Sequence, residues 1–207
     1  MEDKALIRDE LNFITKELAS HVAAQHKFTD QSKSLCAPHT RVEIQKEIEG
    51  WLSPQTSSSK HIFWITGVAG SGKSTLCATV INNLRKKHTP VAAQFFISRN
   101  IPETIDPNKI IPTIAQQLSA FSPAAAHIIC EVLNSGFPTS QEEQVKALLL
   151  APIQEICKSY DRVIILIDAL DELQNAAKSV LQMLLQIAPK GCNLPNNVRF
   201  VITSRPE

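Results

Sequence analysis

The chain has 207 residues, 43% of them hydrophobic and 20% charged, and a net charge of +1. Such a chain suits one domain with its own core plus a short extension, and the near-neutral balance, with no basic patch, argues against nonspecific nucleic-acid binding. Five scattered cysteines (Cys36, Cys77, Cys130, Cys157 and Cys192) form no CxxC pair, so they read as reduced, mostly buried thiols rather than as a metal or disulfide framework.

The start, Met1-Glu2-Asp3-Lys4, is charged and leads into no secretory leader. No apolar run approaches the length of about 18 residues that a membrane helix needs. The expectation is a soluble, cytoplasmic protein that meets neither membrane nor nucleic acid. Over residues 4–28, Ile7, Leu11, Ile14, Leu18 and Val22 recur at spacings of three and four, which predicts one apolar helix face. The stripe is too short for a coiled coil and implies packing on the main domain or on a protein partner. After Pro38, Thr40 and Glu43 have the spacing of a capping box for a second helix whose buried face is Ile44, Ile48, Trp51 and Leu52. Residues 53–60 are polar and aperiodic, as in a surface loop or linker. The chain therefore divides into an N-terminal helical segment (1–35), a helical lead-in and linker (36–60) and an α/β core (61–207).

The core opens with the apolar strand Ile62-Phe63-Trp64-Ile65, then Gly67-Val68-Ala69-Gly70-Ser71-Gly72-Lys73-Ser74, then a helical stripe at Leu76, Val80, Ile81 and Leu84. This is the strand, glycine loop and helix of a Walker A phosphate-binding loop. Successive backbone N–H groups at a helix N-terminus hold a polyphosphate without long side chains, and the helix dipole adds to the attraction. Gly67, Gly70 and Gly72 let the backbone turn tightly against the phosphate oxygens. Lys73 brings a point charge for the β- and γ-phosphates, Ser74 a hydroxyl for Mg²⁺, and Thr75 is the secondary hydroxyl.

Val91 to Ile97 reads as a buried strand. Asp106-Pro107 and Ser122-Pro123 each put a capping residue before a proline at the first helical position, and Gly136 is placed to end the second of these helices. Pro112 would delay or kink the first. Ser140 and Glu143 form another capping box, opening a helix to Ile156 that Pro152 should bend. Arg162 to Ile167 is an apolar strand, Leu173 to Ile187 a helix with Val180, Leu181, Leu184 and Leu185 inward, residues 189–197 a loop, and Val198 to Thr203 the last strand. Strands alternating with helices predict a three-layer αβα fold with a mostly parallel sheet of about four strands. Ligands then sit beyond the carboxyl ends of the strands, where the polar clusters at Gly67, Asp168 and Ser204 fall.

Asp168 ends a buried strand in Val163-Ile164-Ile165-Leu166-Ile167-Asp168-Ala169-Leu170-Asp171-Glu172, the pattern of a Walker B segment in which the aspartate holds Mg²⁺. Hydrolysis also needs a group to orient water, for which Asp171 and Glu172 are candidates, with Glu172 preferred. Arg205, just past the last strand, would reach a γ-phosphate. Arg99 is read as solvated, Arg41 as a weak candidate for the base side, and Trp64 as core rather than as a stacking platform for a base. His61, His88 and His127 show no partner pattern.

Phe63 to Thr75, the acidic run Asp168 to Glu172 and Ile202-Thr203-Ser204-Arg205-Pro206 together resemble the NACHT group of STAND-class NTPases. Cys36-Ala37-Pro38-His39-Thr40-Arg41, with Ile48 and Trp51, is similar to the lead-in of fungal NACHT proteins, also described as nephrocystin-type N-terminal NTPase domains. The resemblance covers about residues 36–207. It implies a switch that binds ATP or GTP with Mg²⁺, hydrolyses slowly, and works with protein partners or by self-association through the N-terminal helix and C-terminal regions that this chain lacks. A non-hydrolysing scaffold and a small-molecule kinase are the alternatives. The family's sheet has five strands, so the phosphate-loop strand is expected to lie open on one side, with the N-terminal helix partly covering it.

Overall fold

A computed structural model describes residues 2–56, 60–173 and 194–206. Four strands form one all-parallel sheet: β1 (Ile62–Thr66), β2 (Ala93–Phe96), β3 (Val163–Asp168) and β4 (Val198–Ser204), in the order β1-β4-β3-β2. β3 and β4 are buried along their whole length, as strands covered on both faces must be. On one face, Ile164, Leu166 and Val201 meet α2 (Val42–Leu52) and α3 (Lys73–Lys86) through Ile48, Leu52 and Ile81. On the other, Ile165, Ile167 and Phe200 meet α4 (Ile110–Phe121), α5 (Pro123–Asn134) and the helical run after Ser140. This is the expected three-layer αβα fold with an N-terminal helix.

Local capping sets two of the helix starts. Asp106 caps a 3₁₀ turn, Pro107–Lys109, by accepting from the Asn108 N–H, and α4 follows with Pro112 in its first turn, where a missing donor costs nothing. Ser140 and Glu143 make the expected capping box. The helix it opens runs as α6 (Gln141–Gln144), a π-helical stretch Val145–Leu150, and α7 (Ala151–Ile156). A stretch of wider i→i+5 bonding stands just before Pro152, in place of a simple bend.

Three expectations about the N-terminal part are corrected. The first helix, α1 (Glu2–Leu18), stops before Val22 because tertiary contacts take over: His21 stacks on Phe137 with centroids 3.9 Å apart, and the Ala23 N–H donates to Thr113 Oγ1. Thr40 and Glu43 make no capping box. The N-cap of α2 is Arg41, in the left-handed region at φ 55°, and the Thr40 hydroxyl donates to Ala37 O instead. α1 does not cover the side of β1 away from β4, where β1 has no strand partner among the described residues. It packs on α5 and α4, burying Ile14 and Leu18, and the segment after it seals the opposite edge. There the Phe96 N–H donates to His26 O and Gln31 Nε2 donates to Phe96 O.

Being an edge strand also explains Trp64. It is not core: 43% of it is exposed, and its indole N–H donates to Ser204 Oγ at 2.8 Å. At the amino ends of the strands, Arg162 and Arg199 are buried and donate to backbone carbonyls of Ser53, Thr56 and Asn196. Burial and the neighbouring guanidinium push Arg199 down to about 10. The polar stretch after α2 is therefore held to the sheet at residues 53–56. Of the cysteines described, only Cys77 is fully buried, and Cys36, Cys130 and Cys157 are half-buried thiols. Apart from Leu173, which is extended, the helix expected at 173–187 lies outside the described residues, as do loop residues 189–193 and Cys192.

Deleting residues 1–35 should lower the melting temperature and increase light scattering, since it uncovers β2 and strips two buried side chains from the α4–α5 layer. Amide exchange locates the effect. The Phe96 N–H, which loses its acceptor, should exchange much faster, whereas Ile65 in β1 should be little changed.

Candidate functional site

β1 delivers the chain to the sheet's carboxyl edge, and the Gly67 N–H donates to Ser204 O at 3.3 Å, tying the glycine loop to the end of β4. Gly70 and Gly72 lie at φ +73° and +78°, a region L side chains adopt rarely. At Gly72 a second reason applies: a Cβ would collide with the Arg41 guanidinium. Lys73 is the first residue of α3, and its ammonium folds back to donate to Gly67 O at 2.6 Å and Val68 O at 3.2 Å. The first turn of α3, with Ser74 and Thr75, presents N–H groups that have no acceptor within the helix.

Asp168 closes β3 and is wholly buried. Its Oδ1 accepts from Thr203 Oγ1 at 2.6 Å. Among the described residues, Oδ2 has no partner of ordinary hydrogen-bond geometry, although the Ser74 hydroxyl is near enough to favour the ionised form. Desolvation outweighs the help of Ser74, Thr203 and Lys33 and, with the Glu172 charge adding to it, raises this carboxyl above its ordinary value. Two hard oxygens, one of them a buried and unsatisfied carboxylate oxygen, are a donor set that fits Mg²⁺.

The chain then turns sharply. Ala169 sits at φ 60°, a strained conformation for a residue with a Cβ, steadied by donation from its N–H to Thr203 Oγ1 at 2.8 Å. The 3₁₀ turn Leu170–Glu172 aims two carboxylates at the same edge. Asp171 pairs with Arg205, taking its backbone N–H at 3.0 Å and its Nε at 2.9 Å. Glu172 Oε2 accepts the Arg99 N–H at 2.8 Å, and the Arg99 side chain itself is exposed.

These parts border one cleft of about 340 Å³. Ala69, Gly70, Gly72, Lys73, Ser74 and Thr75 line one side, and Ala169, Asp171, Glu172 and Arg205 the other. Asp168 lies beneath, reached through Ser74. Among the predicted residues, Gly67, Val68 and Ser71 do not line the cleft: Gly67 braces Lys73, Val68 is 68% exposed, and Ser71 turns a carbonyl to Arg41. Sequence reasoning missed Thr203, which positions both Asp168 and Ala169. The available signal was a hydroxyl at the end of an apolar strand, which must find a partner when buried.

The family model described as Nephrocystin 3, N-terminal matches residues 42–205, from the start of α2 to the arginine that closes the cleft. The chain belongs to the nephrocystin 3 N-terminal family. No curated protein matches the chain closely enough to be named as a relative. Within this nephrocystin-type domain, no helix of the described residues is long and apolar enough to cross a membrane.

Because folding raises the Asp168 carboxyl above its unfolded value, the fold penalises the charge. Stability present at low pH is lost as pH rises through the folded value. Without divalent cations, Asp168→Asn should therefore match the parent near pH 4 and become the more stable of the two towards neutral pH, read as urea midpoints across a pH series. A parent that gains on the variant as pH rises would contradict this account of the carboxyl.

Proposed function

We propose that this nephrocystin 3 N-terminal domain is a nucleoside-triphosphate-binding switch module of the NACHT type, within the STAND class, taking ATP or GTP with Mg²⁺. The observation that carries the reading is the cleft itself, in which Lys73 and the N-terminus of α3 face Asp171 and Glu172 across a space of about 340 Å³, with the buried Asp168 beneath. A polyphosphate there is met by loop amides and the helix dipole. Lys73 gives up the carbonyls of Gly67 and Val68 for phosphate oxygens, exchanging neutral acceptors for charged ones. Ser74 and Asp168 would hold Mg²⁺, which when bound supplies charge neutralisation at the phosphates. Glu172 is then the group to orient a water and take its proton. Arg205 would approach a γ-phosphate only by loosening its pair with Asp171, so that pair reports the nucleotide state to the sheet edge. In this reading, nucleotide state gates association with protein partners or self-association, in part through the N-terminal helix.

A second reading, nucleotide binding with no turnover, is favoured by one feature: both candidate carboxylates already have partners, Asp171 on Arg205 and Glu172 on the Arg99 amide. The phosphotransfer alternative, a small-molecule kinase, has no such feature in its favour.

Lys73→Ala should abolish ATP and GTP binding measured by calorimetry with Mg²⁺, while the variant still melts cooperatively. A folded variant with unchanged affinity sinks the assignment. In the parent, nucleotide at a hundredfold excess over its dissociation constant should add roughly 3 kcal/mol of stability.

Binding and chemistry separate by substitution. Asp168→Asn should weaken Mg²⁺-dependent binding. Glu172→Gln should leave affinity intact and lower phosphate release, since a water-orienting group acts mainly in the transition state. If Asp171→Asn stops turnover and Glu172→Gln does not, the roles are reversed. A parent with affinity but no phosphate release decides for the scaffold reading.

A further inference from the structure

Arg41 lies outside the cleft, yet it is the side chain most intimately fitted to the loop that forms it. The guanidinium reaches from the N-terminus of α2 to donate to Ser71 O at 2.6 Å and, with its other terminal nitrogen, to Gly72 O. To do so the residue adopts φ 55° and ψ 28° at a helix start where its side chain caps nothing. The space it fills is reserved for it, since any Cβ at Gly72 would collide with the guanidinium. The base of this arm is tied to its neighbours. The Cys36 N–H donates to Thr79 Oγ1, Gln45 Nε2 donates to Thr40 O, and Asn83 Nδ2 donates to Glu49 across the α2–α3 contact.

The consequence follows from peptide geometry. In a planar trans peptide the C=O and the following N–H point in opposite directions. The carbonyl of Ser71 shares its peptide with the N–H of Gly72, and that of Gly72 with the N–H of Lys73. The fork holds the Ser71 carbonyl outward and, at the Gly72 carbonyl, joins the Leu76 N–H of the first turn of α3, so both following N–H groups turn the other way, towards the cleft that Gly72 and Lys73 line. Polarising the two carbonyls also strengthens those N–H groups as donors, and the guanidinium adds a positive field from behind the loop.

We propose that Arg41 is a positioning residue for phosphate recognition. It aligns the Gly72 and Lys73 amides of the glycine loop from outside and so makes anion affinity depend on the 36–52 lead-in. This rests on the phosphate-binding reading of the cleft and goes beyond it, because Arg41 itself touches no ligand. It also replaces the base-side role considered from sequence: a residue that acts on loop amides serves every polyphosphate alike, whatever base it carries.

The test uses the full chain and two probes with Mg²⁺, ATP and inorganic tripolyphosphate, with affinities from calorimetry, melting temperatures, and amide resonances of Gly72 and Lys73 in the ligand-free protein. Arg41→Gly removes the fork while suiting a left-handed backbone, so it should melt no lower than the parent. It should nonetheless bind both probes about tenfold more weakly or worse, because the Gly72 and Lys73 amides are no longer held in place before the anion arrives. The Gly72 and Lys73 amides should shift in the same variant. Arg41→Lys, which keeps the charge but not the fork, should recover only part of the affinity. Unchanged affinity in Arg41→Gly, a loss confined to ATP, full recovery in Arg41→Lys, or an affinity loss that merely follows a fall in melting temperature with the two amides unmoved would each overturn the proposal. A parent chain that binds neither probe would instead remove the phosphate-binding reading on which the proposal rests, and the proposal with it.

Discussion

The site depends on β4 being the strand between β1 and β3. Its parallel register with both neighbours puts Thr203 beside Ile65 and Ser204 beside Thr66, while Ile202 pairs with Ile167. Two contacts, three hydrogen bonds in all, then follow from the sheet itself: Ser204 O receives the Gly67 amide, and Thr203 Oγ1 bridges the Ala169 amide and the Asp168 carboxylate. The glycine loop and the acidic turn are thus held one strand apart by the same two residues, and the gap between them is the cleft. A slip of one residue in β4 would exchange its faces and undo both contacts at once.

Charge in this cleft is arranged by mutual satisfaction. Lys73 rests on carbonyls of its own loop, Arg205 on Asp171, and Glu172 on the Arg99 amide. Asp168 is the exception, with one oxygen left over in a place that water does not reach. Anion binding is therefore an exchange of partners at Lys73, and cation binding relieves a cost already built into the fold. The strain at Ala169 and at Arg41, two non-glycine residues held in the left-handed region, lies on the two segments that flank this exchange.

The two edges of the sheet are treated differently. β2 is sealed by the segment after α1, which supplies backbone and side-chain partners to Phe96, and α1 itself adds Ile14 and Leu18 to the α4–α5 layer. β1 keeps an exposed indole, and its burial is incomplete along its length. The N-terminal segment thus works for the core at the edge far from the glycine loop. The lead-in that follows it works at the near side, through Arg41 and the packing of α2 on α3.

The glycine spacing before an apolar helical stripe, and the carboxylate at the end of an apolar strand, were legible in the residues alone because they are local patterns of period and turn chemistry. The parallel αβα layering followed from the same alternation. The capping boxes divide the lesson. Ser140 and Glu143 formed one, since nothing else competed for them. Thr40 and Glu43 did not, because the Arg41 guanidinium found two carbonyls thirty and thirty-one residues away. Trp64 read as core until the strand order made β1 an edge, and the α1 stripe was legible without the layer it would choose. Sequence by itself determined which elements form and which carry charge at their ends. Tertiary structure alone decided the strand order, the partners of Asp171, Glu172 and Arg41, and the leftover oxygen of Asp168, because each depends on contacts between residues far apart in the chain that no local period encodes.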